Sequence, residues 1–130
     1  MEKQGYVSLW IGHIRDEMKM QQYTELIYTD EDCLPSPFSA DFHIAMYDYD
    51  EDFLEAIAHD REHGCLQRLI EGCSYDEDII PQFEKLFETT LDEKTNAAIL
   101  VYNFRYDGRV EEVVHRDCAF QFVGSVVYES

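Results

Sequence analysis

Two histidines with a glutamate between them form the stretch with the clearest potential for chemistry. His59, Glu62 and His63 match the H-x-x-E-H pattern of the inverse zincins. On a helix, residues four apart share a face, so both imidazoles could hold one zinc ion while Glu62 acts as a base toward its bound water. Gly64 predicts that such a helix ends directly after His63, and no convincing third ligand follows. A small zinc-dependent hydrolase is therefore an alternative, and two solvated histidines are the simpler interpretation.

An acidic run is the second candidate for chemistry. Asp48-Tyr49-Asp50-Glu51-Asp52 opens like a calcium loop of the D-x-D-x-D type. That loop needs a glycine at its sixth position and a bidentate glutamate at its twelfth, where this chain has Phe53 and His59. Two interpretations of the run remain. It could be a solvated turn whose carboxylates complement a helix dipole, or it could be an acidic surface that faces a partner.

Signatures of common enzymes are absent from the sequence. It contains no GxSxG, P-loop, GxGxxG or CxxC pattern. The four cysteines have spacings of 32, 8 and 45 residues, which form no disulfide framework. We therefore expect reduced thiols, no cofactor, no metal and no enzymatic activity.

The charge balance excludes several classes of partner. The 130 residues include 28 acids and 10 bases, for a net charge of −18. Such a surface repels nucleic-acid phosphates and anionic lipids, so we expect no direct contact with nucleic acid or membrane. Between Glu25 and Glu62 there are 12 acids, and Arg61 is the only base. This local excess predicts steering of a basic partner, with solubility as the alternative explanation.

Aromatic residues near the acidic positions could anchor such a partner. Tyr49 lies within the acidic run, and Trp10 lies on a segment in which Val7, Leu9 and Ile11 alternate with more polar residues. Because Trp10 alternates away from those three, it belongs either on an open face of the sheet or under a covering loop. The sequence leaves both the interface and the core open for Trp10. Phe53, by contrast, is expected in the core.

The elements that must position these residues follow from periodicity and turn signals. Strands are predicted at Tyr6–Ile11, Phe42–Tyr47, Ala97–Phe104, Val110–His115 and Cys118–Tyr128, with a hairpin turn at Asp107-Gly108. Helices are predicted at Arg15–Tyr28, from Asp50 or Asp52 to Ala58, at Cys65–Glu71, and from about Pro81 to Thr89. A loop at Thr29–Asp41 joins the first helix to the second strand.

This order of elements predicts an α+β fold. We expect one domain over residues 1–130, with a mostly antiparallel sheet of four to five strands and three to four helices packed on one face. The sequence begins without a signal-peptide pattern and has no apolar run of 18 residues. A cytoplasmic location is the corresponding expectation.

The sequence resembles the immunity protein 22 family of bacterial polymorphic toxin systems. The stretches that carry the resemblance follow one another in the family's order: Val7–Gly12, Ser39–Asp48, Asp50–Glu55, Leu69–Tyr75, Asn96–Tyr102, Tyr106–Asp107 and Phe120–Tyr128. Each stretch is short, and their common order over nearly the whole chain is the stronger signal.

The resemblance implies a cytoplasmic immunity protein that binds and neutralises a cognate toxin domain, often a nuclease. A nuclease carries cationic surface to hold phosphates, so an acidic protein can attract it. The residues that we predict to bind this partner are Asp48, Tyr49, Asp50, Glu51, Asp52, Glu55 and Trp10. Besides the zinc hydrolase, a general acidic adaptor or a nucleic-acid mimic is an alternative, and the sequence leaves the oligomeric state open.

Overall fold

The computed structural model describes residues 2–45, 48–62, 65–86, 95–116 and 118–128. The strands are β1 (Glu2–Ile14), β2 (Ile27–Tyr28), β3 (Cys33–Leu34), β4 (Leu54–Ala58), β5 (Ala97–Phe104), β6 (Glu112–Val114) and β7 (Cys118–Val127). The helices are α1 (Glu17–Thr24), α2 (Pro37–Asp41), α3 (Leu66–Ile70) and α4 (Asp76–Leu86), with a 3-10 helix at Glu51–Phe53. None of the described helices is long and apolar enough to cross a membrane.

A five-stranded antiparallel sheet organises the molecule. Its strand order is β4-β5-β1-β7-β6, so β1 is the central strand and β4 and β6 are the two edges. Trp10 on β1 lies opposite Ile99 on β5 and Phe122 on β7. A separate two-stranded sheet joins β2 to β3. The α+β fold predicted from the sequence is therefore confirmed.

Helices cover both faces of this sheet. Leu9 on β1 and Leu100 on β5 pack against α3 and α4, in a first core with Phe83. The alternate residues Trp10 and Ile99 pack against α1 and α2, in a second core. The expectation that all helices lie on one face of the sheet was therefore wrong. The reason is that β1 and β5 carry apolar side chains on both faces of the sheet, so both faces must be covered.

The segment before the acidic run contains helix α2 where a loop was predicted, and residues 42–45 are neither helix nor strand where a strand was predicted. Ser36 caps α2, since its hydroxyl accepts the backbone N–H of Ser39 at 3.1 Å, and Pro37 occupies the first turn. Phe42 then ends α2 and is fully buried in the second core. The prediction of a strand from Phe42 to Tyr47 was wrong over its described part, residues 42–45, and residues 46–47 lie outside the described residues.

The segment after the acidic run is a strand where a helix was predicted. Glu51–Phe53 form one 3-10 turn, and Leu54–Ala58 then pair with β5 in a regular antiparallel register. The register places Leu54 opposite Val101 and Ala58 opposite Ala97. Pairing with β5 stabilises the extended conformation although Leu, Glu and Ala are strong helix formers.

Several boundaries also differ from the predictions. Helix α1 ends at Thr24, and α4 begins at Asp76, so Pro81 lies inside that helix and not in its first turn. The predicted continuation of α4 to Thr89 lies outside the described residues. The Asp107-Gly108 turn joins no hairpin, because β5 pairs with β1 and β4 whereas β6 pairs with β7.

Candidate functional site

The acidic run forms a tight turn that leads into the edge strand β4. Asp50 fixes this turn twice: its Oδ1 accepts the backbone N–H of Asp52 at 2.9 Å, and its carbonyl oxygen accepts the N–H of Phe53 at 2.9 Å. The Asp50 and Asp52 side chains are exposed. A short polar side chain that bonds the backbone two residues ahead is the usual way to stabilise such a turn. The turn therefore presents two carboxylates to solvent on a fixed backbone.

Phe53 is exposed between these carboxylates and the sheet. Its exposed fraction is 45%, and it lines a shallow depression of about 220 Å³. The other lining residues are Gln4, Asp50, Tyr102 and Asn103. The expectation that Phe53 lies in the core was wrong, because the strand begins directly after it and Leu54 takes the core-facing position. The surface formed by Asp50, Asp52 and Phe53 is called the acidic–aromatic turn below.

Glu55 lies apart from that turn. Successive residues of a strand point to opposite faces, so Glu55 lies on the same face as Leu100, toward α3 and α4. Its carboxylate accepts the backbone N–H of Ser74, with oxygen distances of 3.1 and 3.3 Å. Glu55 therefore connects β4 to the segment between α3 and α4.

Asp48 and Glu51 are the two remaining acids among the predicted partner-binding residues. Asp48 is half-buried. Hydrogen bonds to Asp107 are the main cause that raises the pKa of Arg109, and the charge of Asp48 raises it further. The same hydrogen bonds lower the pKa of Asp107. Glu51 begins the 3-10 turn. Of the five predicted acidic residues, the structure thus brings Asp50 and Asp52 together on the surface and directs Glu55 elsewhere.

The two aromatic residues predicted as anchors are buried. Trp10 is fully buried in the second core, with its ring centroid 4.9 Å from that of Phe38 and 5.3 Å from that of Phe122. Tyr49 is 6% exposed and contacts Phe104 edge-on, with centroids 6.2 Å apart. For Trp10 the core alternative is therefore the one observed. A direct contact between Trp10 and a partner would require the α1–α2 layer to open.

The H-x-x-E-H pattern does not form a helix over its described part. His59 directly follows β4, and residues 60–62 are not helical. The His59 Nε2 lies 2.8 Å from the carbonyl oxygen of Leu69 on α3, so the ring faces that helix. Within the described residues, no three or more His, Cys, Asp or Glu side chains are grouped to hold a metal ion. The alternative in which one helix brings His59 and His63 together is therefore not supported for residues 59–62, and His63 itself lies outside the described residues.

A second surface feature lies between α1 and β4, and sequence reasoning missed it. A groove of about 710 Å³ runs between one face of α1 and the free side of β4. Glu17 and Gln21 on α1 line it together with Glu25, the residue that caps the end of the helix. A helical spacing of four and eight residues would have placed these polar groups on one face, but the predicted helix at residues 50–58 hid the strand opposite them.

These observations define the class of protein: a small α+β domain in which the exposed Asp50, Asp52 and Phe53 form a turn that leads into an edge strand of the sheet. The chain belongs to the Immunity protein 22 family, whose model matches residues 7–129. This confirms the resemblance described above. No curated protein and no solved structure matches the chain. Immunity proteins are generally non-catalytic, and membership of the family indicates a toxin-neutralising role through binding of a cognate toxin.

Proposed function

We propose that this chain is a cytoplasmic, non-enzymatic immunity protein that neutralises a nuclease toxin by covering cationic surface of its toxic domain. The observation that carries the proposal is the acidic–aromatic turn: Phe53 is 45% exposed and has the exposed carboxylates of Asp50 and Asp52 beside it. Membership of the family supports a toxin as the partner, and the negative charge of the chain supports a basic surface on that toxin.

The two parts of the turn would act at different stages of binding. A net charge of −18 attracts a cationic surface before contact and raises the association rate, an effect that salt screens. Phe53 would then be desolvated against the partner, and a buried aromatic anchor mainly slows dissociation. Asp50 and Asp52 lie on a backbone already fixed by hydrogen bonds, so little conformational entropy would be lost on binding.

A survival assay tests the proposal. The toxin domain encoded beside this gene is expressed in a sensitive host with the wild-type chain, with Asp50→Lys/Asp52→Lys, or with Glu111→Lys/Glu112→Lys. Both double variants change the net charge by the same amount, but Glu111 and Glu112 lie exposed at the opposite edge of the sheet. We expect rescue by the wild type and by the Glu111/Glu112 variant, and loss of rescue by the Asp50/Asp52 variant.

The purified proteins separate the remaining outcomes. We expect tight binding with an association rate that falls as salt rises, and no comparable binding to an unrelated basic protein such as lysozyme. Equal binding to both basic proteins would favour the general acidic adaptor. Rescue by all three chains would keep the immunity role and move the interface away from the turn. No rescue from a toxic neighbour would refute the proposed pairing.

A further inference from the structure

The outer edge of β4 lies beside an acidic face of α1, and no described strand pairs with it. Natural edge strands are usually short, or carry lysine, proline or a bulge that discourages pairing with other chains. At one edge, β6 has three residues and follows Glu111. At the other edge, Leu54–Ala58 of β4 contain no lysine or proline, and their register with β5 shows no bulge. Among the described strands, none pairs with the outer side of β4.

Hydrogen bonding identifies which backbone groups of β4 point outward. The N–H of His59 donates to the carbonyl oxygen of Asn96 at 2.8 Å, toward β5. In an antiparallel ladder the direction alternates, so the backbone groups of Leu54, Ala56 and Ala58 point away from β5. Each of these residues offers one donor and one acceptor. Ala56 is exposed.

The groove between α1 and β4 follows this outer edge. It is lined by Ala56, Ile57 and Ala58 in succession. Because consecutive residues of a strand point to opposite faces, a groove on one face alone would touch only alternate residues. The groove therefore runs along the edge itself, over a strand of about 17 Å at roughly 3.3 Å per residue. A short extended segment matches this shape.

The charge of the groove indicates which segment would fit. Its helical side carries Glu17 and the C-cap residue Glu25, whose carboxylate also accepts a hydrogen bond from Gln21 Nε2 at 2.7 Å. No lysine or arginine is among its described lining residues. An extended segment with lysine or arginine side chains would pair with both carboxylates while its backbone bonds β4. A second copy of this chain is disfavoured, because edge-to-edge pairing would bring two such acidic grooves together in molecules of charge −18 each.

We propose that an extended, basic segment of the toxin adds as a strand to the outer edge of β4 and lies in the groove beside α1. This proposal rests on the proposed function for its partner and specifies how that partner is held. Main-chain hydrogen bonds would supply affinity, and the Glu17 and Glu25 carboxylates would select for a basic sequence.

Proline substitutions at the two edges form a matched test. Ala56→Pro removes an outward N–H that is not used in pairing with β5, a position at which edge strands tolerate proline. Val114→Pro is the control: the N–H of His115 donates to Cys118 on β7, so the N–H of Val114 points outward at the opposite edge, where the side chain is 70% exposed. Titration with the purified toxin domain is expected to show binding at least tenfold weaker for Ala56→Pro and unchanged for Val114→Pro.

A charge reversal and an exchange measurement keep the proposal testable where Ala56→Pro fails to fold. Glu17→Lys/Glu25→Lys is expected to weaken binding at least tenfold and to reduce its salt dependence, whereas Glu111→Lys/Glu112→Lys is not. By NMR, the amides of Leu54, Ala56 and Ala58 are expected to exchange more slowly with solvent when the toxin domain is bound.

The outcomes separate this proposal from the function on which it rests. If the wild-type chain does not bind the toxin domain, the proposed function fails and this proposal fails with it. If the wild type binds, but Ala56→Pro and Glu17→Lys/Glu25→Lys bind equally well and the β4 amides gain no protection, the function stands and the β4 edge is not the docking site. Protection of the same amides in a dimer of the chain alone would assign the edge to a second copy and overturn the proposal.

Discussion

The carboxylate of Glu55 accepts the backbone N–H of Ser74 at 3.1 Å, across 19 positions of the chain. This hydrogen bond joins the edge strand β4 to the segment between α3 and α4. The same segment is held from β5, because the hydroxyl of Tyr102 donates to the carbonyl oxygen of Ser74 at 2.6 Å. Both backbone groups of Ser74 are thus bound by side chains from neighbouring strands. Glu55 is therefore held by a hydrogen bond within the fold, on the face of the sheet toward α3 and α4.

Replacing Glu55 tests this structural role. We expect Glu55→Ala to lower the free energy of unfolding by about 1 kcal/mol, because a charged acceptor of a backbone N–H is lost. Glu55→Gln retains an oxygen acceptor and should lose less. Chemical denaturation measures both, and toxin affinity should remain within about twofold of the wild type. A tenfold loss of affinity without a loss of stability would instead return Glu55 to the interface.

Phe53 should behave in the opposite way. Because its side chain is 45% exposed, Phe53→Ala is expected to change the free energy of unfolding by less than about 1 kcal/mol, whereas burial of this ring against a partner predicts an affinity loss of about tenfold or more. Calorimetric titration with the toxin domain measures the affinity, and unfolding in urea measures the free energy of unfolding. Trp10→Ala is the contrasting variant: the indole is fully buried, so about 3–5 kcal/mol of stability should be lost. Equal affinity for Phe53→Ala and wild type would remove Phe53 from the interface.

The error at Phe53 shows where sequence reasoning failed for the site. Leu54–Ala58 are composed of residues that favour helices, and acids before them resemble a helix cap. A helix over this segment would have placed Phe53 and Leu54 together toward a core. Pairing with β5, which is distant in sequence, overrides the local helix preference. The side chains of Phe53 and Leu54 therefore point in different directions. The exposed phenyl ring was therefore not predictable from local sequence.

Cover on both faces of the sheet could have been predicted from the sequence, although the prediction placed all helices on one face. Strand β5 has the sequence Ala-Ala-Ile-Leu-Val-Tyr-Asn-Phe, and an uninterrupted apolar run without alternation is typical of a strand covered on both faces. The apolar run of β5, together with the fully buried Ser8 two residues before Trp10 on β1, is consistent with cover on both faces of the sheet. Helices α1 and α2 cover one face, and α3 and α4 cover the other. The alternation of Val7, Leu9 and Ile11 with more polar residues in β1 favoured a single covered face, and it left open whether Trp10 lies in the core or at an interface.

The buried thiol of Cys73 and the buried hydroxyl of Tyr102 predict that the protein loses stability at high pH. Burial raises the pKa of the Cys73 thiol to about 11, and it also raises the pKa of the neighbouring Tyr102 hydroxyl. The folded state therefore retains protons that the unfolded chain releases. For Cys73 this contribution is complete below pH 9.0, the ordinary pKa of the thiol, and is lost as the pH rises toward about 11.

Urea unfolding between pH 8 and pH 11 measures this effect. We expect the free energy of unfolding to fall above about pH 9, with each such group contributing up to about 1.4 kcal/mol per pH unit. Cys73→Ala removes one of the titrating groups and should reduce the slope in this range. A free energy of unfolding that is constant up to pH 11 would show that neither group retains its proton in the folded state.

Gly12 provides the sharpest test of the central strand. It lies between Ala97 on β5 and Phe120 on β7, and a Cβ atom at this position would overlap the carbonyl group of Ala119. The obstacle is backbone of a paired strand, which cannot rotate aside as a side chain would, so Gly12→Ala is expected to cost about 3 kcal/mol or more, or to prevent folding. Gly72→Ala is the control with a different cause: that site has open space but a φ of +93°, so a cost of about 1 kcal/mol is expected. Asparagine, which tolerates positive φ, should partly restore stability at position 72 and not at position 12. Comparable urea midpoints for Gly12→Ala and the wild type would contradict the close approach of β1 and β7.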